Sequence, residues 1–502
     1  MSVRERAFTV IAALALFAAS GLTMSAPASA AAADAVHCGS IITRSTTLQA
    51  DVGPCPSDGL IIATSNITLD LGGHSVIGTF TSQSPSPPTN IVDGEGIHLN
   101  NVSGVKVTNG SVYHFAVGVR LDGSSGNTIS NLNVHDNIGI LPTDAANNGD
   151  GIALYASNHN LIDHNVVRHN GPWDGIATLS SDGETGTDGA SYNTITNNLI
   201  VDNNVAMLDD NGQPVWKQDN GVAITGPGST HNVVDHNVID GSSVNGVQVF
   251  PACINSYNGA SQGCSGTVPN DYNVITNNLV RQNGFGAPIA IAPLGDGILI
   301  LSMGPRGILE PGHETVENNI VQDNQRNGIS IGGGNGEDLY NAPGTTQGDN
   351  YGCSNLDSEG GNTGVPTADL CGSLYNTVSN NTSSGNGEDG IYIGPKSKFN
   401  TVKNNDVSHN RVDGIAIGLA VLYNANSQAV PNGQGGFETI AGTAGTDNTI
   451  AFNSAIGDGR WDGRDDNPGC GNTWKDNRFG TVNQPCVSGF SDASAPAASP
   501  GP

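Results

Sequence analysis

Asn376-Thr-Val378 … Asn381 … Asn386 … Asp389-Gly390-Ile391-Tyr-Ile393 is followed, 24 residues later, by Asn400-Thr-Val402 … Asn405 … Asn410 … Asp413-Gly414-Ile415-Ala-Ile417. A unit this short cannot bury its own hydrophobic residues, so it must stack on copies of itself. Ten such units begin at Asn127, Asn160, Asn193, Asn232, Asn273, Glu314, Asn376, Asn400, Asn448 and Asn472. With Φ for an apolar residue, the template reads Asn-x-Φ-x-x-Asn-x-Φ-x-x-Asn, a turn, then Asp/Asn-Gly-Φ-x-Φ. A degenerate copy runs from Val105 to Leu121, and Leu132 alone replaces the middle Asn.

Apolar and polar residues alternate within each Φ set, which is the period of a very short strand. No piece carries helical spacing over a full window. Three strands and three turns in about 24 residues make one coil, and successive coils pair strand on strand in parallel, about 4.8 Å apart. The rest of each coil is the crossover that parallel pairing demands. The expectation is an all-β solenoid of about 13 coils, about 60 Å long. Ile152, Ile176, Val222, Val247, Ile298, Ile329, Ile391 and Ile415 should form one interior column. Ile162, Ile195, Val234, Ile275, Val316, Val378, Val402 and Ile450 should form another. The middle Asn is expected at a left-handed corner, which Asn tolerates, with its amide stacked along the column.

Composition agrees. Charged residues are 13% of the chain and glycine supplies 69 of 502 residues, a profile poor in helix formers and rich in turn formers. The formal net charge of −28 excludes nucleic acid and anionic membrane surfaces as partners, since holding phosphates takes clustered Lys and Arg. Cations, neutral glycans or a cation-bridged acidic glycan fit better.

Residues 1–30 read as a secretory signal peptide: Arg4 and Arg6, an apolar run from Phe8 to Leu22, and a small-residue site at Ala28-Ser29-Ala30. No later run is long enough to span a bilayer. Residues 31–490 make the solenoid, and the Ala/Ser/Pro stretch 491–502 reads as a disordered tail. The protein is therefore expected to be secreted and extracellular, where disulfides form. Sequential pairing is the simplest scheme for the eight cysteines: Cys38 with Cys55, Cys253 with Cys264, Cys353 with Cys371, and Cys470 with Cys486. The first bridge would pin the N-terminal end. The last, with the Trp461–Phe479 stretch, would cap the other.

The Asn-Thr-Ile/Val … Asn … Asn … Asp-Gly-Ile-x-Ile units resemble those of the right-handed parallel β-helix proteins of the pectate-lyase-like superfamily. They are most similar to the NosD-like and mannuronan-epimerase-type repeats, over about Ile91 to Phe479. The resemblance implies a single right-handed parallel β-helix with loop insertions. It also implies a polysaccharide partner, acted on by a lyase, epimerase or glycoside hydrolase. The alternative is a non-catalytic glycan-binding or cell-surface structural protein, because the fold hosts both. The Asn-Thr-Asp and Gly-His-Gly motifs of the pectinolytic glycosidases and the epimerase-type Asp-Pro-His-Asp are absent.

Chemistry is sought where Asp fills the corner before Gly: Asp150, Asp174, Asp296, Asp389 and Asp413. Asp150/Asp174 and Asp389/Asp413 fall on adjacent coils, about 5 Å apart, where two charges repel by about 3 kcal/mol at an effective dielectric near 20. Exposed, such corners are plain Asx-Gly turns. Buried, each pair needs a shared proton, the arrangement of an acid–base pair, or a bound cation. Asp150 and Asp174 are the preferred catalytic pair, with Trp173 as a sugar platform and Lys217 as a lyase-type base. Trp216 and Arg306 are further substrate-binding candidates in the insertions. Asp182, Glu184 and Asp188 form an acidic loop whose cation would be calcium. His164 and His236 recur before the middle Asn and read as an outward polar column, with copper the metal implied by the NosD-like resemblance.

Overall fold

The computed structural model describes residues 35–79, 94–139, 149–181, 188–205, 207–208, 214–216, 220–226, 228–250, 270–285, 295–300, 312–332, 373–421, 439–441 and 444–488. The coils lie in the unit His37–Pro502.

Among the described residues thirteen strands pair in sequence order into one parallel sheet, here sheet A, running from Ser40–Ile42 through Ile152–Tyr155 and Ile391–Ile393 to Trp461–Asp465. Sheet B contains Leu161–Asp163 and Thr194–Thr196, and sheet C contains Val166–Arg168 and Leu199–Val201. Each coil contributes one strand to each sheet. In two coils a single strand, Lys106–Tyr113 or Thr128–His135, runs through the corner and serves both B and C. Among the described residues the one helical element is the 3₁₀ turn Pro485–Ser488.

The two expected columns are present in register. Ile152 pairs with Ile176, Ile176 with Val222, and Ile391 with Ile415. Ile162 pairs with Ile195, and Val402 with Ile450. All of these side chains are fully buried. Burial of this much aliphatic surface is what the short strands gain by stacking. The glycine of each Asx-Gly corner is required by the same stacking: a Cβ on Gly175 would lie 2.6 Å from the carbonyl oxygen of Gly221 on the next coil.

The middle Asn departs from expectation. Asn165, Asn198, Asn237, Asn278 and Asn319 are buried, and the left-handed residue is the one before each: His164, Asn197, His236, Asn277 and Asn318, with φ of 53–58°. Freed from the corner, the amide faces inward and links coils. Asn165 donates its N–H and its Nδ2 to Oδ1 of Asn198 at 2.9 and 3.0 Å, and Nδ2 also serves the carbonyl of Ile129. Asn198 repeats the pattern on Asn237. The first Asn of each unit builds a second ladder, as Asn160 on Asn193, and the third Asn another, as Asn386 on Asn410. Polar groups that would otherwise be orphaned in a narrow interior are satisfied coil to coil.

Outside, the residue just before the first position of the seven units from Asn160 to Asn400 forms a ladder of rings: His159, Tyr192, His231, Tyr272, His313, Tyr375 and Phe399. Successive centroids are 4.7 to 5.2 Å apart.

Both terminal disulfides are formed, Cys38–Cys55 and Cys470–Cys486; Cys253, Cys264, Cys353 and Cys371 lie outside the described residues. The C-terminal plug centres on Trp474, packed edge-on to Phe479 at 5.8 Å and donating Nε1 to Asp465 at 3.0 Å. Trp461 is only half-buried on the last strand of sheet A.

Candidate functional site

The Asx-Gly corners stack as a fourth ladder and are not solvent-facing turns. Asp150 and Asp174 are buried, and Oδ1 of Asp150 accepts the Asp174 N–H at 2.9 Å. Asp174 in turn accepts the N–H and Nδ2 of Asn220 at 3.1 and 2.8 Å. Trp173 is buried as well, so it offers no open platform. At the other pair, Asp413 accepts the Arg460 guanidinium at 2.7 Å and lies 3.2 Å from Arg464, while donating its own N–H to Asp389 at 2.9 Å. Burial, then the charge of Asp413, pushes the Asp389 carboxyl well above the usual range. A proton on Asp389 and two arginines on Asp413 relieve the expected repulsion there.

The most active-looking arrangement lies at earlier corners of the same series. Asp58-Gly59 stacks on Glu95-Gly96, with the Gly59 N–H donated to the Glu95 carbonyl at 2.9 Å. Glu95 is buried, whereas Asp58 is half-buried. Arg120, one coil on, reaches Glu95 Oε1 at 3.4 Å and Asp122 Oδ2 at 2.9 Å. His98 closes the group, its Nε2 lying 2.6 Å from Asp122 Oδ2. The Arg120 guanidinium sits 4.3 Å over the Tyr155 ring, a cation–π contact that holds it in place.

Sheet geometry explains the meeting. His98, Arg120 and Ala153 are cross-strand neighbours on strands Glu95–Asn100, Val117–Asp122 and Ile152–Tyr155. They occupy the x position of Gly-Φ-x-Φ, which faces away from the interior. Asp122 and Tyr155 lie two residues further along, on the same outer face. Later coils put Ala177 and Ala223 at this position, within a buried apolar cluster that also holds Tyr155 and Leu179. The charged group therefore borders an apolar surface, where its interactions are less screened.

Electrostatics separate the two carboxyls. Burial pushes Glu95 up to about 7, Arg120 works against that rise, and Asp58 adds to it. Asp122 is held below its usual value: burial opposes ionisation, but the hydrogen bond from His98 and the charge of Arg120 outweigh it. Tyr155 is pushed well above the usual phenol value by burial and the nearby Asp150, so it stays neutral. One carboxyl able to hold a proton at neutral pH beside one that is ionised is the pattern of an acid–base pair.

The family model for the right handed beta helix region matches residues 95–365. The chain belongs to that family. The matched part of this right handed beta helix protein opens at Glu95 itself and takes in Arg120, Asp122 and Tyr155. No curated protein matches the sequence. Among solved structures, the Dettilon tailspike protein gp208 is 15% identical, over 75% of this chain and 61% of that one, with a TM-score of 0.42. The GH87 α-1,3-glucanase catalytic domain in complex with nigerose is 15% identical, over 84% and 59%, with a TM-score of 0.38. The Azotobacter vinelandii mannuronan C-5 epimerase AlgE4 A-module is 13% identical, over 89% and 87%, with a TM-score of 0.34. The chain spans about three-fifths of the length of the first two.

Of the remaining sequence candidates, Lys217, Arg306, Asp182 and Glu184 lie outside the described residues, as does the side chain of Trp216, whose strand Pro214–Trp216 pairs antiparallel with Met207–Leu208. Asp188 accepts the N–H and Oγ of Ser181 at 3.1 and 2.9 Å. Among the described residues no cluster of three or more His, Cys, Asp or Glu is placed to hold a metal ion. His164 and His236 lie on the exterior, 2.6 and 2.7 Å from Asp163 and Asp235 of their own strands.

Glu95, His98, Arg120 and Asp122 sit in the first coils, where the repeat is degenerate and the template does not reach them. A signal exists nonetheless. Asp58-Gly59 and Glu95-Gly96 extend the corner series, and the x position of Gly-Φ-x-Φ carries a charge at Arg120 where the next three coils carry Ala153, Ala177 and Ala223.

Proposed function

We propose that this chain engages polysaccharide and cleaves it by acid–base chemistry at the Glu95–Arg120–Asp122–His98 cluster. The observation that carries the reading is the geometry: Arg120 lies 3.4 Å from Glu95 Oε1 and 2.9 Å from Asp122 Oδ2, and His98 lies 2.6 Å from the same Asp122 oxygen; burial raising Glu95 while His98 and Arg120 lower Asp122 agrees with it. In this reading Glu95 gives its proton to the oxygen bridging two sugars. Asp122 orients His98 and stabilises its imidazolium as it takes a proton from the attacking water or from the sugar carbon. Arg120 and Tyr155 hold the geometry. The acidic surface suits a neutral chain, or an acidic one bridged by cations.

Export fits this role. The two terminal disulfides support an oxidising compartment, with residues 1–30 as the leader. No described helix is long and apolar enough to cross a membrane.

The test is incubation with a panel of neutral and uronate polysaccharides, reading new reducing ends and the absorbance of unsaturated products. Wild type should release product from one class and Glu95→Gln should release none. Product formation by Glu95→Gln at the wild-type rate would contradict the assignment. Binding without product by wild type would instead support a non-catalytic glycan-binding protein.

A further inference from the structure

The external ring ladder from His159 to Phe399 has two properties that stacking alone does not require. Its rings sit at positive φ, 58° at Tyr192, 60° at Tyr272 and Tyr375, and 58° at Phe399. That region is strained for a bulky side chain and easy for Gly or Asn. Glycine does occupy the same corner in two earlier coils, at Gly104 and Gly126, with φ of 65° and 70°. The three tyrosines and Phe399 thus stand where a cheaper residue would serve, and strain retained four times along one ridge points to use.

The rings are also open to solvent. Tyr192, Tyr272, Tyr375 and Phe399 are 46–49% exposed. Because each ring faces its neighbours, with interplanar angles of 29° or less, it is the ring edges and polar tips that meet the solvent. An aromatic edge is the positive end of the ring quadrupole, and Tyr O–H and His N–H groups are donors. The ridge is therefore a row of weakly positive ring edges, donating at every rung but Phe399, about 30 Å long from centroid to centroid and stepped at the spacing of the coils.

A ligand matched to it must be linear, rich in oxygen acceptors, and repetitive at a similar step. An extended polysaccharide is linear, is rich in hydroxyl and ring oxygens, and repeats sugar by sugar on a scale comparable with rungs 4.7 to 5.2 Å apart. The net charge of −28 disfavours a polyanion. A strip one ring wide is too narrow for a protein interface, which takes about 800 Å² per partner.

We infer that the ridge is a second glycan-binding surface, holding an extended neutral polysaccharide with one sugar on each rung. The inference rests on the glycan-engaging reading above but not on catalysis.

The experiment is calorimetric titration of the full chain with β-1,4-linked glucan and mannan oligosaccharides of two to eight sugars. For wild type, affinity for one of the series should climb with each added sugar and level off near the number of rungs. The variant Tyr192→Asn/Tyr272→Asn/Tyr375→Asn should flatten this climb and lose about tenfold or more for the longest oligosaccharide. Asn is the residue that the adjacent left-handed column carries at Asn197, Asn277 and Asn318, so the variant should fold, and an unchanged circular dichroism melt checks that it does. Wild-type affinity independent of length, no binding to either series, or a folded triple variant that binds as wild type does would overturn the inference. Cleavage is read separately through Glu95→Gln, so the failure of either reading leaves the other standing.

Discussion

Glu314 takes the place of an amide directly above Asn273: its carboxylate accepts the Asn273 N–H at 2.6 Å and Nδ2 at 3.2 Å. Every other junction of that ladder passes a donor onward, as Asn376 does to Asn400 at 2.9 Å. An ionised Glu314 passes on only its backbone N–H, to Asn376 Oδ1 at 2.9 Å, and has no side-chain donor to add. Burial pushes its carboxyl well above the ordinary 4.5, against the pull of Asn273. A carboxyl whose folded-state value is raised is stabilising in acid and loses that contribution as pH rises. Glu314→Asn should therefore raise stability by about 1–3 kcal/mol at neutral pH. It should give little gain below about pH 4.5, where the native carboxyl is protonated in both states. Chemical denaturation of both proteins at two pH values checks the sign.

Glu95 predicts a second pH dependence. Its carboxyl titrates near 4.5 when unfolded and near 7 when folded. The protonated form is favoured by folding, so its contribution is complete below about 4.5 and is lost as pH rises through about 7. Two and a half pH units correspond to about 3 kcal/mol. Asp458, pushed up to about 6, drifts in the same direction in both proteins. The difference between wild type and Glu95→Gln, followed by urea midpoint between pH 4 and 8, should thus isolate Glu95. A constant difference across that range would contradict the shift.

The amide ladder should be intolerant of charge. Asn198→Asp keeps an acceptor for Asn165 but removes the donors to Ile162 and Asn237, and it aims a carboxylate at the Oδ1 of Asn237. A cost of about 3 kcal/mol or more at pH 7 follows, partly recovered in acid. Asn198→Ala should cost a comparable amount without the pH dependence, because it leaves two donors of Asn165 unanswered.

At the far end, Arg464 is buried and lies 3.2 Å from Asp413 and 3.4 Å from Asp466. Arg464→Met should cost about 3 kcal/mol, because a carboxylate with no exposed side-chain surface loses one of its two cations. Arg460→Met should cost less, since Arg460 is partly exposed and its charge is already solvated. Thermal melts of the two variants test the order.

Much of the fold was legible because it repeats. Ile391 over Ile415 and Val378 over Val402 can be read from spacing alone, and aliphatic columns leave the chain few other ways to hide them. What could not be read locally was the partner on the next coil. The Asp150-Gly151 corner has the composition of an open turn, and only winding places the Asp174 N–H over its carboxylate. The same holds for the middle Asn: turn chemistry puts Asn165 at the left-handed corner, whereas the chain assigns that conformation to His164 and turns Asn165 inward. The Glu95 cluster joins residues from coils with imperfect repeats, so no template pointed at it. The ring ladder, by contrast, was readable by aligning the position before each first Asn.

The central claim is that Glu95 holds a proton at neutral pH because it is buried beside Asp58 and balanced against Asp122 through Arg120. The most direct measurement is the carboxyl titration itself, followed by isotope-edited infrared or carbon NMR difference spectra between wild type and Glu95→Gln. The account predicts a single carboxyl, absent from the variant, ionising near pH 7. Ionisation of that group near 4.5, as for an ordinary glutamate, would contradict it.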